Sequence, residues 1–134
     1  MIRLFPLAVL GAGAFFHTHL ASSFPRANEV VAVAPAEITL TFSARPEVPL
    51  TKLTLLRADS TPVALERVRA GRDTLTVAAR VPGPLPVGQY IVVWRTASRD
   101  GHVVRGSYHF GYSTDRAAVK PVATGAASAQ HSHK

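Results

Sequence analysis

Asp100-Gly101-His102 places a carboxylate and an imidazole two positions apart around a glycine. In an extended chain, residues i and i+2 project to the same side. Glycine lets the backbone bend closely around a small ligand. The segment thus offers one oxygen and one nitrogen donor to a single ion. Taken alone, it also reads as an ordinary polar turn with a structural aspartate. The chain has six histidines: His17, His19, His102, His109, His131 and His133. His17 and His19 form an H-x-H near the N-terminus, and His131 and His133 form another near the C-terminal end. There is no cysteine, which removes zinc-finger, iron–sulfur, disulfide and thiol-catalysis chemistry.

The elements that must position these side chains read as short strands. "EITLTFSA" (Glu37–Ala44) sets Ile38, Leu40 and Phe42 against Thr39, Thr41 and Ser43, a period of two with one buried face. "LTKLTLLRA" (Leu50–Ala58) repeats the pattern with Leu53 and Leu55, and "DTLTVAARV" (Asp73–Val81) with Leu75, Val77 and Ala79. "GQYIVVWRTAS" (Gly88–Ser98) puts Tyr90, Val92 and Trp94 on one side, with Ile91, Val93 and Arg95 opposite. "VVRGSYHFGY" (Val103–Tyr112) sets Val104, Tyr108 and Phe110 against Val103, Arg105, Ser107 and His109. Pro- and Gly-rich turn signals separate these runs, among them Arg45-Pro46, Ser60-Thr61-Pro62 and Pro82–Gly88. No segment shows a sustained helical period. "VALERVRAG" fits either a turn of helix or an edge strand. The expected fold is all-β, an antiparallel β-sandwich of about seven strands. The D-G-H segment falls in the turn between the last two of them.

The length of 134 residues suits one domain. The formal charge is +7 and the pI near 10.8. The arginines are scattered and mostly alternate with apolar residues, without a basic block or an RNA-binding aromatic motif. A solvated basic surface is expected, and no nucleic-acid partner. Arg3 precedes an apolar run, Leu4–Phe16, too short for a membrane-spanning helix, which needs roughly 20 residues, but suited to a secretory signal. Residues 1–16 are read as that signal, residues 17–114 as the β-domain, and residues 115–134, small, polar and Ala-rich, as a disordered tail. The small-x-small pattern Ala12-Gly13-Ala14 would instead release Phe15. No stable membrane anchor is expected after processing.

Several pieces together resemble the CopC family of periplasmic copper-binding proteins. They are "HTHLASSFP" (His17–Pro25), "ITLTFS" (Ile38–Ser43) and "GQYIVVWRTASRDGHVVRGSYHF" (Gly88–Phe110). They occur in the family's order and span about Leu20 to Tyr112. The resemblance implies an all-β, Greek-key antiparallel β-sandwich, cupredoxin- or immunoglobulin-like, agreeing with the periodicity, and a Cu(II) site. The first residue of the mature chain gives its α-amino and ring nitrogens, and the D-G-H turn gives the rest. Carried over, the ligands are His17, Asp100 and His102. Nitrogen and oxygen donors suit Cu(II).

Three features depart from the family pattern. Cleavage before Phe15 would leave no free amine on His17. Ala44 stands where many relatives carry a supporting Glu, which loosens ligand orientation. The only methionine is Met1, so no thioether Cu(I) site is expected. His19 is either a substitute ligand or an exposed strand residue, and His109 is expected on the surface. The implied function is non-enzymatic: an exported protein, periplasmic or secreted, that captures, buffers or delivers copper to a membrane importer or another acceptor. The alternatives are a copper monooxygenase-like enzyme using an N-terminal His, and a metal-free interaction sandwich.

Overall fold

Alternation along β3 (Glu37–Phe42) drives Ile38, Leu40 and Phe42 into complete burial, while Thr39 and Thr41 stay half-buried on the other face. The same rule governs β8 (Gly88–Ala97), where Tyr90, Val92 and Trp94 point inward and Val93 and Arg95 outward. It governs β9 (Val103–Tyr112) as well, where Tyr108 and Phe110 are buried and Arg105, Ser107 and His109 exposed. A strand with one apolar face needs a second sheet to cover it. This computed structural model, which describes residues 17–115 and 117, supplies two.

One sheet runs in the order β1 (Leu20–Phe24), β3, β7 (Thr76–Arg80), β6 (Arg69–Ala70). The other runs β2 (Val30–Val31), β9, β8, β4 (Lys52–Arg57), β5 (Pro62–Val63). The chain passes between sheets after β1, β2, β3, β5 and β7, which is the Greek-key weave of a β-sandwich. The core between the sheets is one cluster that includes Ile38, Leu40, Phe42, Leu55, Val92 and Phe110. Phe42 and Trp94 meet edge to face across it, with ring centroids 5.2 Å apart. Tyr90 and Phe110 stack at 5.3 Å. Among the described residues the only helical element is a 3-10 turn, Val48–Leu50, and none is long and apolar enough to cross a membrane.

Where the structure departs from the expected strands, the reasons are local. Leu75 is 38% exposed rather than core. Asp73 accepts a hydrogen bond from the Leu75 backbone N–H and holds that residue in a turn, so β7 begins only at Thr76. The ambiguous "VALERVRAG" (Val63–Gly71) contributes only sheet edges: Val63 ends β5 beside Leu55, and Arg69–Ala70 form β6. The pairing of β2 with β9 is parallel, an exception to the antiparallel expectation. The expected signal segment, residues 1–16, and the tail histidines His131 and His133 lie outside the described residues.

Gly106 sits opposite Trp94 in the β8–β9 ladder. A Cβ there would lie 2.6 Å from the indole ring. The Gly106→Val variant is expected to lose about 1–3 kcal/mol through overpacking. Urea unfolding measures the loss, and near-ultraviolet circular dichroism reports the displaced indole. An unchanged midpoint would contradict this packing.

Candidate metal centre

β8 and β9 pair residue for residue until Ala97↔Val103, and the turn between them carries the acid and the histidine. The Ser98 carbonyl accepts a hydrogen bond from the Gly101 N–H at 2.9 Å, closing a tight turn. Gly101 has φ +84°, with nothing within 4 Å of where a Cβ would stand. Glycine is needed there for its backbone conformation, not for space. The turn therefore ends in a left-handed residue, which swings His102 back beside Asp100.

Asp100 fastens this turn from within. Its Oδ1 accepts the Ser98 hydroxyl and, at 3.1 Å, the His102 backbone N–H. Its Oδ2 lies 2.8 Å from His102 Nδ1. The Ser98 hydrogen bond, then the His102 ring and backbone N–H, hold the Asp100 carboxyl far below the usual carboxylate range. The hydrogen bond that the ring donates to Asp100, and then the carboxylate's charge, raise the His102 imidazole above its ordinary value. Both side chains are well exposed, 82% for His102 and 61% for Asp100, so water screens the pair. With Nδ1 donating to the carboxylate, Nε2 is the ring atom that faces outward for a metal. A metal-bound imidazole commonly gives its other N–H to a carboxylate in this way.

The N-terminal arm enters at the same end of the sandwich. The His19 backbone N–H donates to Ser43 Oγ at 2.9 Å, and the Ser43 N–H donates to the His19 carbonyl at 2.9 Å. This reciprocal pair continues the β1–β3 ladder, where Leu20 faces Phe42. From Ser43 the chain crosses through Ala44 to Pro46, whose Cα pairs with Ser98 at the base of the D-G-H turn. The Glu47 N–H then donates to the Ala97 carbonyl at 2.9 Å. Three residues span at most about 11 Å, so the arm and the turn are neighbours.

The structure thus brings Asp100 and His102 into direct contact and sets exposed His17 on the adjoining arm. It does not close the three into one ligand shell: among the described residues no three His, Asp or Glu side chains converge. His19 is exposed, and its Nδ1 lies 3.3 Å from the His17 carbonyl. His109 is exposed on the outer face of β9, opposite Ile91. Two supporting residues escaped the reading of single motifs. Ser98 holds the Asp100 carboxylate, and its signal is the S-x-D spacing. Ser43 pins His19, a contact between residues 24 apart that no local pattern shows.

The pair fixes a sign for pH dependence. A raised histidine pKa stabilises the fold below about pH 6.5, and that support fades as pH rises through the folded value. A depressed aspartate pKa stabilises above about pH 4, and that support fades as pH falls. Both groups are charged, and the clamp complete, between those limits. In an NMR titration His102 is expected to deprotonate above the ordinary histidine value, and Asp100→Asn is expected to bring it back down. An unmoved His102 titration in that variant would show that the carboxylate and the imidazole are not coupled.

Comparison with known proteins gives the family. The CopC domain family matches residues 20–113. Protein YobA of Escherichia coli strain K12 is 32% identical over 95 residues, covering 70% of this chain and 77% of that protein. Copper resistance protein C of Xanthomonas campestris pv. juglandis is 31% identical over 109 residues, covering 77% of this chain and 85% of that one. The crystal structure of PcoC, a methionine-rich copper resistance protein from Escherichia coli, superposes with a TM-score of 0.67 at 36% identity, covering 72% of this chain and 99% of that one. The crystal structure of CopC from Methylosinus trichosporium OB3b gives a TM-score of 0.66 at 30% identity, covering 72% and 93%. With the family match running from the first strand to the last, on a sandwich of the same fold as these solved relatives, the chain belongs to the CopC domain family.

Proposed function

We propose that the protein is an exported Cu(II) carrier: it captures cupric ion outside the cytoplasm, buffers it, and passes it to a membrane importer or another acceptor. The observation that carries this reading is the D-G-H turn, rigidly closed, with the outward imidazole nitrogen of His102 beside an ionised carboxylate and the N-terminal histidine arm alongside. His17 contributes its ring nitrogen and, as the first residue of the mature chain, its α-amine. His102 contributes Nε2. Asp100 contributes an oxygen by turning it away from the ring, or else stays as the partner that orients His102. The relatives named for copper resistance support the choice of metal.

The donor set is nitrogen and oxygen without sulfur, which matches Cu(II) in a tetragonal arrangement. PcoC is described as methionine-rich. Here the one methionine is Met1, so a soft Cu(I) site on thioethers has no residues to build it. Binding must displace the protons that Asp100 holds on His102 and that the α-amine carries near neutrality, so affinity falls as pH falls. Residues 1–16 act as the export signal and the mature domain works in the periplasm or beyond it. No turnover is assigned: as a ligand, Asp100 would place a charged group at the metal position that a monooxygenase would keep open for oxygen.

Trp94, the only tryptophan, packs on Phe42 one residue from the Ser43 anchor of the arm. Cupric ion at this end is expected to quench its fluorescence with one-to-one stoichiometry. His102→Ala and Asp100→Ala are each expected to weaken Cu(II) binding at least about tenfold. Unchanged affinity in both variants refutes the site. A single residue added before His17 is expected to weaken binding as well, because it removes the α-amine from the ring that His17 closes. Equal binding by extended and trimmed chains, with the first residue fixed by intact mass, shows the amine is not a ligand.

A further inference from the structure

The five-stranded sheet contains none of the chain's eight acidic residues. On its outer face, register aligns three cations in one row across three strands: Lys52 opposite Arg95, and Arg95 opposite Arg105. All three are exposed. Among the described residues none has a carboxylate oxygen within 4.0 Å, whereas Arg69 on the other sheet pairs with Glu37. Neighbouring strands lie about 4.8 Å apart, so the charges stand close together. Like charges directly opposite one another cost stability. The next row towards the middle of the face is Thr54, Val93 and Ser107, neutral and low in relief.

The row also lies against the candidate metal centre. Arg95 is three residues before Ser98, Arg105 is three residues after His102, and Arg99 sits in the turn itself. Three residues reach at most about 11 Å, close to one Debye length at physiological salt, about 8 Å. Such a row opposes the approach of a free dication. It favours an anionic body that arrives beside the site and covers the charges while copper is exchanged. Two copies of this face would repel each other. The face bears no Trp, Tyr or Phe of the kind that anchors proteins at a bilayer surface.

We infer that the outer face of β4, β8 and β9 is the docking surface for an acidic protein, the copper acceptor or donor, whose carboxylates pair with Lys52, Arg95 and Arg105. The inference rests on the copper reading for what is exchanged, but docking is read without metal. The probe is a capped peptide of alternating Glu and Thr, titrated at low ionic strength into isotopically labelled, copper-free protein. Amide shifts are expected to cluster at Lys52, Thr54, Val93, Arg95, Arg105 and Ser107. Neutralising the row (Lys52→Gln, Arg95→Gln, Arg105→Gln) is expected to weaken binding about tenfold. An equal loss of charge elsewhere (Arg26→Gln, Arg67→Gln, Arg72→Gln) is expected to change it less than about twofold. Equal effects of the two triples, or shifts spread over all basic residues, overturn the proposal.

Vesicles of phosphatidylethanolamine and phosphatidylglycerol provide the other arm. Tighter binding to them than to the peptide, lost in the row triple, would make this a membrane face and overturn it too. Arg105→Glu adds a readout that simple solubility would not predict. It should raise the unfolding midpoint by about 1–5 °C by relieving Arg95, while weakening the peptide. Cu(II) affinity of the row triple, measured by Trp94 quenching, should be retained or raised, because the row repels a free dication. If copper fails to bind the parent protein while the peptide still docks on the row, the copper reading fails and the docking face stands.

Discussion

The continuous antiparallel pairing of β8 with β9, from Gly88↔Tyr112 to Ala97↔Val103, is the constraint on which the rest of this molecule depends. It forms the middle of the five-stranded sheet and presents Tyr90, Val92, Trp94, Tyr108 and Phe110 to the core on one side. Because the ladder has no slip along its length, the turn at its end has a fixed position and a fixed conformation. Asp100 then locks that turn with three hydrogen bonds to groups within two residues of itself. The same register that aligns the core also aligns Arg95 with Arg105 on the outer face. The D-G-H turn and the cationic row are therefore two consequences of one pairing.

The second half of the candidate site reaches it by a different route. The N-terminal arm is held by β1 on the opposite sheet, through Ser43, and the crossover from Ser43 to Pro46 stitches that sheet to the base of the turn. Ala44 lies on this crossover, between the arm and the turn. In this structure the arm and turn stand side by side, with Asp100 engaged by His102 rather than by a shared ion. A cupric ion that draws His17, Asp100 and His102 together would trade the internal hydrogen bond of the pair for two coordinate bonds. That exchange would be reversible, since Asp100 and His102 can return to each other.

The long strands were legible because alternation is a local property. In β3, and in β8 and β9 apart from Ala97 and Gly111 at their ends, burial follows parity, and the observed faces are those that "EITLTF", "YIVVW" and "SYHF" announce. The two-residue strands β2, β5 and β6 were not legible, because two residues carry no period. Leu75 misled for the same reason in reverse: its parity matches Val77, but Asp73 binds its backbone into a turn before the strand begins. The D-G-H pair and Ser98 could be read from spacing, since i and i+2 contacts need no tertiary information. Ser43 as the anchor of His19 could not, nor could the opposition of Lys52, Arg95 and Arg105, whose alternation with apolar residues had suggested only a solvated basic surface.

What the sequence determined by itself is the chemistry and the layer: nitrogen and oxygen donors without sulfur, strands with one apolar face, and a glycine where the chain must turn left-handed. What only the tertiary structure decided is adjacency. Which histidine arm lies beside the turn, and which cations stand opposite each other, depend on strand order and register. Those are settled by packing two sheets over one core, through contacts between residues far apart along the chain, and a linear pattern does not encode them locally.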